Sequence, residues 1–151
     1  IEVTDNSVGD APMLPELLAQ IPLDEPVAIV GGDGAYDTKG CHAAIAQRGA
    51  QAVIPPRKNA RPWRQTLEGA GGRNEALRAC QRLGRRIWKK WSGYHRRSLG
   101  ETKMHCFKRL GERVMARTFE RQVTELHVRV ALLNRFTQLG RPATVPVPAV
   151  A

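Results

Sequence analysis

Apolar residues along this chain fall into two rhythms, and the switches between them mark the elements. Val27-Ala28-Ile29-Val30 is a continuous apolar run, which predicts a short strand buried on both faces. Ala52-Val53-Ile54 predicts a second buried strand, stopped by Pro55-Pro56. Between them a helix is predicted to about Arg48, capped by Asp37 or Thr38, with Gly49 just past its end. Strand, helix and strand with short connections make a βαβ unit, which implies parallel pairing and a right-handed crossover. Upstream, Met13, Leu14, Leu17, Leu18 and Ile21 form the apolar face of a helix over 11–20, capped by Asp10, whose start Pro15 delays. Ile1-Glu2-Val3-Thr4 alternates and reads as the end of a strand.

The second half is helical in rhythm. Leu77, Cys80, Leu83, Ile87, Trp88 and Trp91 predict a helix over 74–91, broken by Ser92-Gly93. Phe119, Val123, Leu126, Val130, Leu133 and Thr137 step by 4 and 3 through a long helix ended by Gly140-Arg141-Pro142. Three heptads are few for a dimeric coil, so this stripe reads as intramolecular core. Residues 57–74 are rich in Gly, Pro and Arg and read as an exposed basic loop or insertion. Trp63 within it either stacks on a base or pins the loop to the core, and pinning is favoured. Residues 141–151 read as a loose tail, leaving 1–140 as one α/β domain.

Charge sharpens the picture. Residues 1–56 carry two basic and eight acidic side chains, whereas 57–121 carry nineteen basic and five acidic. A net +14 block following a −6 block points to a polyanionic partner. Arg85, Arg86, Lys89 and Lys90 fit a phosphate track on the helix over 74–91. Leu and Phe are too sparse over 57–98 for a membrane-surface helix, and no run approaches the length of a membrane span. The three cysteines, Cys41, Cys80 and Cys106, lack metal-site or disulfide spacing and read as free thiols in a reducing compartment.

The chemistry concentrates between Tyr94 and Lys108. Wound as one helix at about 100° per residue, Tyr94, Arg97, Glu101 and Lys108 fall within roughly 60° of arc. A carboxylate in line with a phenol and two cations suits metal-assisted phosphoryl transfer on DNA. The alternative is local: Ser98-Leu99-Gly100-Glu101 fits a capping box, so a helix could start at Ser98 on a solvated face. Gly100 weakens such a helix, which either close approach of metal or DNA or tight packing would explain. Asp33, in Gly32-Asp33-Gly34-Ala35-Tyr36-Asp37, sits just past a central strand, where open α/β sheets place ligands. It also fits a turn aspartate satisfying local backbone amides.

Tyr94, Arg97, Glu101 and Lys108 match in type and spacing the terminal signature of DDE transposases of bacterial insertion sequences, and the Asp33 segment resembles that family's second aspartate motif. From Ile1 to about Gly140 the chain is similar to the C-terminal half of an insertion sequence five-type transposase. The resemblance implies a ribonuclease H-like mixed sheet with flanking helices, incomplete at its N-terminus. It also implies Asp33 and Glu101 as catalytic carboxylates and metal ligands for two Mg²⁺ ions, and Tyr94, Arg97 and Lys108 as DNA contacts. The implied partners are the element's ends and target DNA in the bacterial cytoplasm, associated with the nucleoid when bound and with no membrane; a homodimer on DNA is left open. The family's first aspartate is expected to precede Ile1, since Asp5 and Asp10 lie too near the second motif. The chain is therefore expected to be a piece that binds DNA without cutting it. The rival readings are a non-enzymatic basic DNA-binding module and an RNA-binding protein. Scarce stacking aromatics count against RNA.

Overall fold

The computed structural model describes residue 3 and residues 7–140. The strand end expected over 1–4, Val3 apart, and the tail 141–151 lie outside the described residues. The chain divides into two compact units, one ending at Gly100 and the other beginning at Glu101.

The first unit opens with α1 (Asp10–Ala19), followed by β1 (Ile29–Gly31), α2 (Lys39–Gln47) and β2 (Gln51–Val53). The strands pair in parallel, with Val30 opposite Ala52, so the βαβ unit forms as the apolar rhythm predicts. Thr38 caps α2, its hydroxyl accepting the Cys41 amide at 3.2 Å, while Asp37 turns inward. Leu18, Ile45 and Ile54 make the core, with Leu14, Ile21, Val30 and Tyr36 packed against it. Pro15 lies inside α1 rather than delaying it. Proline has no amide for the carbonyl four residues back, and the buried Cys41 thiol contacts that Ala11 carbonyl at 3.1 Å. Arg48 from the end of α2 donates to the carbonyls of Ile21, Pro22 and Glu25, tying down the loop after α1.

Two expectations need correction here. β1 is not buried on both faces: Val30 packs inward, but Ile29 and Gly31 are exposed. Among the described residues the sheet has two strands, and a short apolar run cannot reveal how many of its faces are covered. Of the expected mixed sheet, the described residues contain this parallel pair.

The helix predicted over 74–91 is two helices, α3 (Ala70–Leu83) and α4 (Arg85–Trp91), hinged at Gly84 with φ +85°. A positive φ interrupts helical winding, and glycine adopts it without a Cβ penalty. The start at Ala70 was masked by Gly71 and Gly72, poor helix formers that tertiary packing overrides. Residues 70–74 are consequently not an exposed loop, since Ala70, Arg73 and Asn74 are buried.

Between 94 and 109 the winding starts tighter than an α-helix. Tyr94–Arg97 is a 3₁₀ turn entered through Gly93 at φ +73°, and α5 follows over Ser98–Arg109. Ser98 has helical dihedrals (φ −57°, ψ −21°), and its hydroxyl donates back to the His95 carbonyl at 2.8 Å. Ser98 is therefore not an extended N-cap, and Tyr94–Lys108 is a 3₁₀ turn running into α5 rather than one α-helix. In a 3₁₀ turn residues three apart eclipse, so Tyr94 and Arg97 share one face.

The second unit contains the rest of α5, a loop over 110–118, and α6 (Phe119–Leu139), closed by Gly140 at φ +73°. Glu125 accepts the amides of Met115 and Ala116, and Arg129 donates to the carbonyls of Gly111 and Arg113 and pairs with Glu125. Lys103 on α5 donates to the Thr137 hydroxyl on α6 at 2.6 Å. Val123, Leu126, Val130 and Leu133 are half-buried rather than a sealed core. Among the described residues no helix is long and apolar enough to cross a membrane.

Candidate active site and nucleic-acid interface

Asp33 stands two residues past β1 and caps the 3₁₀ turn Gly34–Tyr36, its Oδ1 accepting the Ala35 amide at 2.8 Å. The turn-aspartate geometry is therefore present. The carboxylate remains exposed at the strand's C-terminal end, where the sheet topology places ligands. Gly32 lies behind it, where a Cβ would meet the Tyr36 ring at 3.1 Å and oblige that ring to shift. Burial raises the Tyr36 phenol pKa, and the charges of Asp10 and Asp33 push it the same way.

Beneath this turn lies a polar cluster that the sequence pattern does not identify. Asp37 is buried and receives Arg73 Nε at 3.0 Å on Oδ1, Arg73 Nη2 at 3.2 Å on Oδ2, and the Arg57 amide at 2.9 Å. His42 Nε2 lies 3.4 Å from Asp37 Oδ1. Burial alone would raise the Asp37 pKa, but His42, Arg73 and the Arg57 amide outweigh it and hold the carboxyl well below the usual range. Trp63 closes the cluster: its ring meets His42 edge-on at 5.2 Å, and the Arg73 guanidinium lies 4.3 Å from its centroid. Asn74 exchanges two hydrogen bonds with the Trp63 backbone, at 2.9 and 2.8 Å. Trp63 thus pins its loop. The cluster is illegible in sequence because its central ion pair joins residues 36 apart and the Arg57 amide reaches Asp37 across 20.

The Tyr94–Arg97 turn packs beside β1, the strand that leads to Asp33. Tyr94 is half-buried, with its ring 6.2 Å from Trp88, 4.8 Å from Lys89 Nζ and 5.5 Å from the Arg97 guanidinium. Arg86 and Lys90 are exposed on α4, whereas Arg85 donates to the Pro56 carbonyl at 2.6 Å. Glu101 and Lys108 lie in the second unit, both exposed on α5 and sharing a face seven residues apart.

Among the described residues no three His, Cys, Asp or Glu side chains converge to hold a metal ion. Asp33 nonetheless has the chemistry of a ligand for a hard divalent cation, being an exposed carboxylate oxygen donor fixed by its own turn. Glu101 supplies the same donor type.

The family described as Transposase DDE domain matches residues 1–135 of this chain. No solved structure matches it.

Proposed function

This chain belongs to the transposase DDE domain family, and from that premise we propose that it carries out the phosphoryl-transfer chemistry of an insertion sequence five-type element. The observation that carries the reading is the packing of the Tyr94–Arg97 turn beside β1, the strand ending at Asp33. That packing supports a shared site for Tyr94, Arg97 and Asp33.

In this reading residues 1–140 are the C-terminal part of a ribonuclease H-like catalytic domain. Asp33 and Glu101 are its catalytic carboxylates and would hold two Mg²⁺ ions. Bound there, the ions supply charge stabilisation for in-line displacement at phosphorus. Arg97 and Lys108 would neutralise phosphate oxygens, and Tyr94 would contact the backbone or a base with its ring held by Lys89 and Arg97. Arg86, Lys89 and Lys90 would extend the phosphate track along α4. Arg85 would contribute through donors other than the one committed to Pro56. The substrate is duplex DNA carrying the element's ends, joined to target DNA in the bacterial cytoplasm, with a homodimer on DNA as a compatible assembly.

The test uses the whole transposase containing this chain. Asp33→Asn and Glu101→Gln should each lower Mg²⁺-dependent cleavage of element-end DNA by at least about a hundredfold. Binding should be nearly unchanged in both variants and should fall log-linearly with salt. Retained cleavage in either variant would reject its assigned role. Unaltered binding with no cleavage in the wild type would favour the basic DNA-binding module instead.

A further inference from the structure

Arg57 belongs by sequence to the basic loop, where it would be expected to face phosphate. Its donors instead point into the protein. Guanidinium Nε reaches the Gly34 carbonyl at 3.3 Å and Nη2 the Ala35 carbonyl at 3.2 Å, while the backbone amide reaches Asp37 Oδ2 at 2.9 Å. These three bonds span the turn that Asp33 caps. Gly34 also lies against the same segment, since a Cβ there would sit 3.6 Å from the Pro55 carbonyl. The segment is in turn gripped from α4, where Arg85 donates to the Pro56 carbonyl at 2.6 Å. A continuous set of bonds thus runs from the Asp33 turn through Arg57 and Pro56 to the helix that carries Lys89, the neighbour of Tyr94.

We propose that Arg57 is a positioning residue for Asp33, closing over the turn Gly34–Tyr36 so that the Asp33 carboxylate keeps one direction. The physical reason is the fork of the guanidinium. A rigid planar donor bonds two successive carbonyls at once and fixes their orientation, which a single flexible ammonium does not. Arg73 supports the same turn from beneath through Asp37. The orientation of Asp33 is therefore set by residues 24 and 40 positions downstream, not by its glycines alone. The proposal rests on the assignment of Asp33 as a metal ligand.

The test compares the 151-residue chain with Arg57→Gln, Arg57→Lys and Asp33→Asn variants by three measurements. They are amide exchange at Ala35 and Asp37 by NMR, Mn²⁺ affinity by water-proton relaxation, and thermal midpoint. Arg57 is exposed, so neither substitution should unfold the chain. Arg57→Gln is expected to speed exchange at Ala35 about tenfold, as loss of two carbonyl bonds implies, and to weaken Mn²⁺ severalfold at an unchanged midpoint. Arg57→Lys should fall between. Unchanged exchange in Arg57→Gln would overturn the proposal. So would faster exchange with unchanged Mn²⁺ affinity, provided Asp33→Asn removes Mn²⁺ binding. If Asp33→Asn leaves wild-type Mn²⁺ binding intact, the metal assignment of Asp33 fails, and the positioning role for metal fails with it.

Discussion

Arg73 and Asp37, thirty-six residues apart, form a two-pronged ion pair inside the first unit, Nε to Oδ1 at 3.0 Å and Nη2 to Oδ2 at 3.2 Å. Both side chains are almost completely excluded from solvent. Removing one member leaves an uncompensated buried charge, which typically costs about 3–5 kcal/mol. Arg73→Met and Asp37→Leu should therefore each destabilise the chain by that order. The double variant should be closer to wild type than either single change predicts, because neither charge is then stranded. Urea unfolding of the four proteins checks this; additive losses would mean that the pair is not coupled.

The same pair sets an acid limit. Asp37 has a folded pKa depressed below its unfolded value, despite the opposing effect of burial. A depressed carboxylate contributes stability that is fully present above the unfolded pKa of about 4 and is lost as pH falls through the folded value. Stability measured from pH 7 downward should decline below about pH 4, and the Asp37→Asn variant should show a shallower acid slope. Equal slopes in the two proteins would contradict the assignment.

Gly69 precedes α3 at φ +73°, and a Cβ at that position would lie 2.4 Å from the His42 carbonyl oxygen. Both the conformation and the clash oppose any side chain. Gly69→Ala should cost about 2 kcal/mol or more, since strained backbone alone accounts for about 1–3. Thermal unfolding should show the loss, and near-neutrality would mean that α2 and α3 can separate without penalty.

Gly100 behaves oppositely. It is helical, has no positive φ, and among the described residues a Cβ there meets nothing within 4 Å. Tight packing is therefore not what demands glycine. Gly100→Ala should stabilise the chain by about 0.5–1 kcal/mol through helix propensity. If the adjoining Glu101 serves phosphoryl transfer at close quarters, cleavage by the whole transposase should drop while stability rises. A destabilised Gly100→Ala protein would show that the glycine is needed for packing after all.

Arg86 and Lys90 are exposed cations of α4. Each phosphate contact contributes about 0.9 to the slope of log affinity against log salt. Replacing both with alanine should lower that slope by roughly two units for any duplex sequence. Arg85→Ala should lower the slope by about one unit and also free the Pro56 carbonyl, raising amide exchange around Arg57. Fluorescence titration across a salt series distinguishes them; an unchanged slope in the double variant would remove α4 from the interface.

The elements themselves were written in the sequence. Apolar runs, the Thr38 cap, Gly49, Gly140 and Pro55-Pro56 specify βαβ and the long last helix through local periodicity and stereochemistry, which neighbouring residues alone determine. The resemblance to the DDE transposase family was likewise readable, and the family match over residues 1–135 agrees with it. Tertiary structure decided what depends on distant partners. It carried α3 back to Ala70 through two glycines, broke the next helix at Gly84, and left one face of β1 uncovered. It also separated the cations into two groups. Arg48, Arg57, Arg73 and Arg85 donate to carbonyls or to Asp37, the exposed Arg57 and Arg85 included, whereas exposure alone describes Arg86 and Lys90 on α4. A guanidinium carries the same charge in either role, so composition cannot assign it; only the acceptor that the fold brings within hydrogen-bonding reach can.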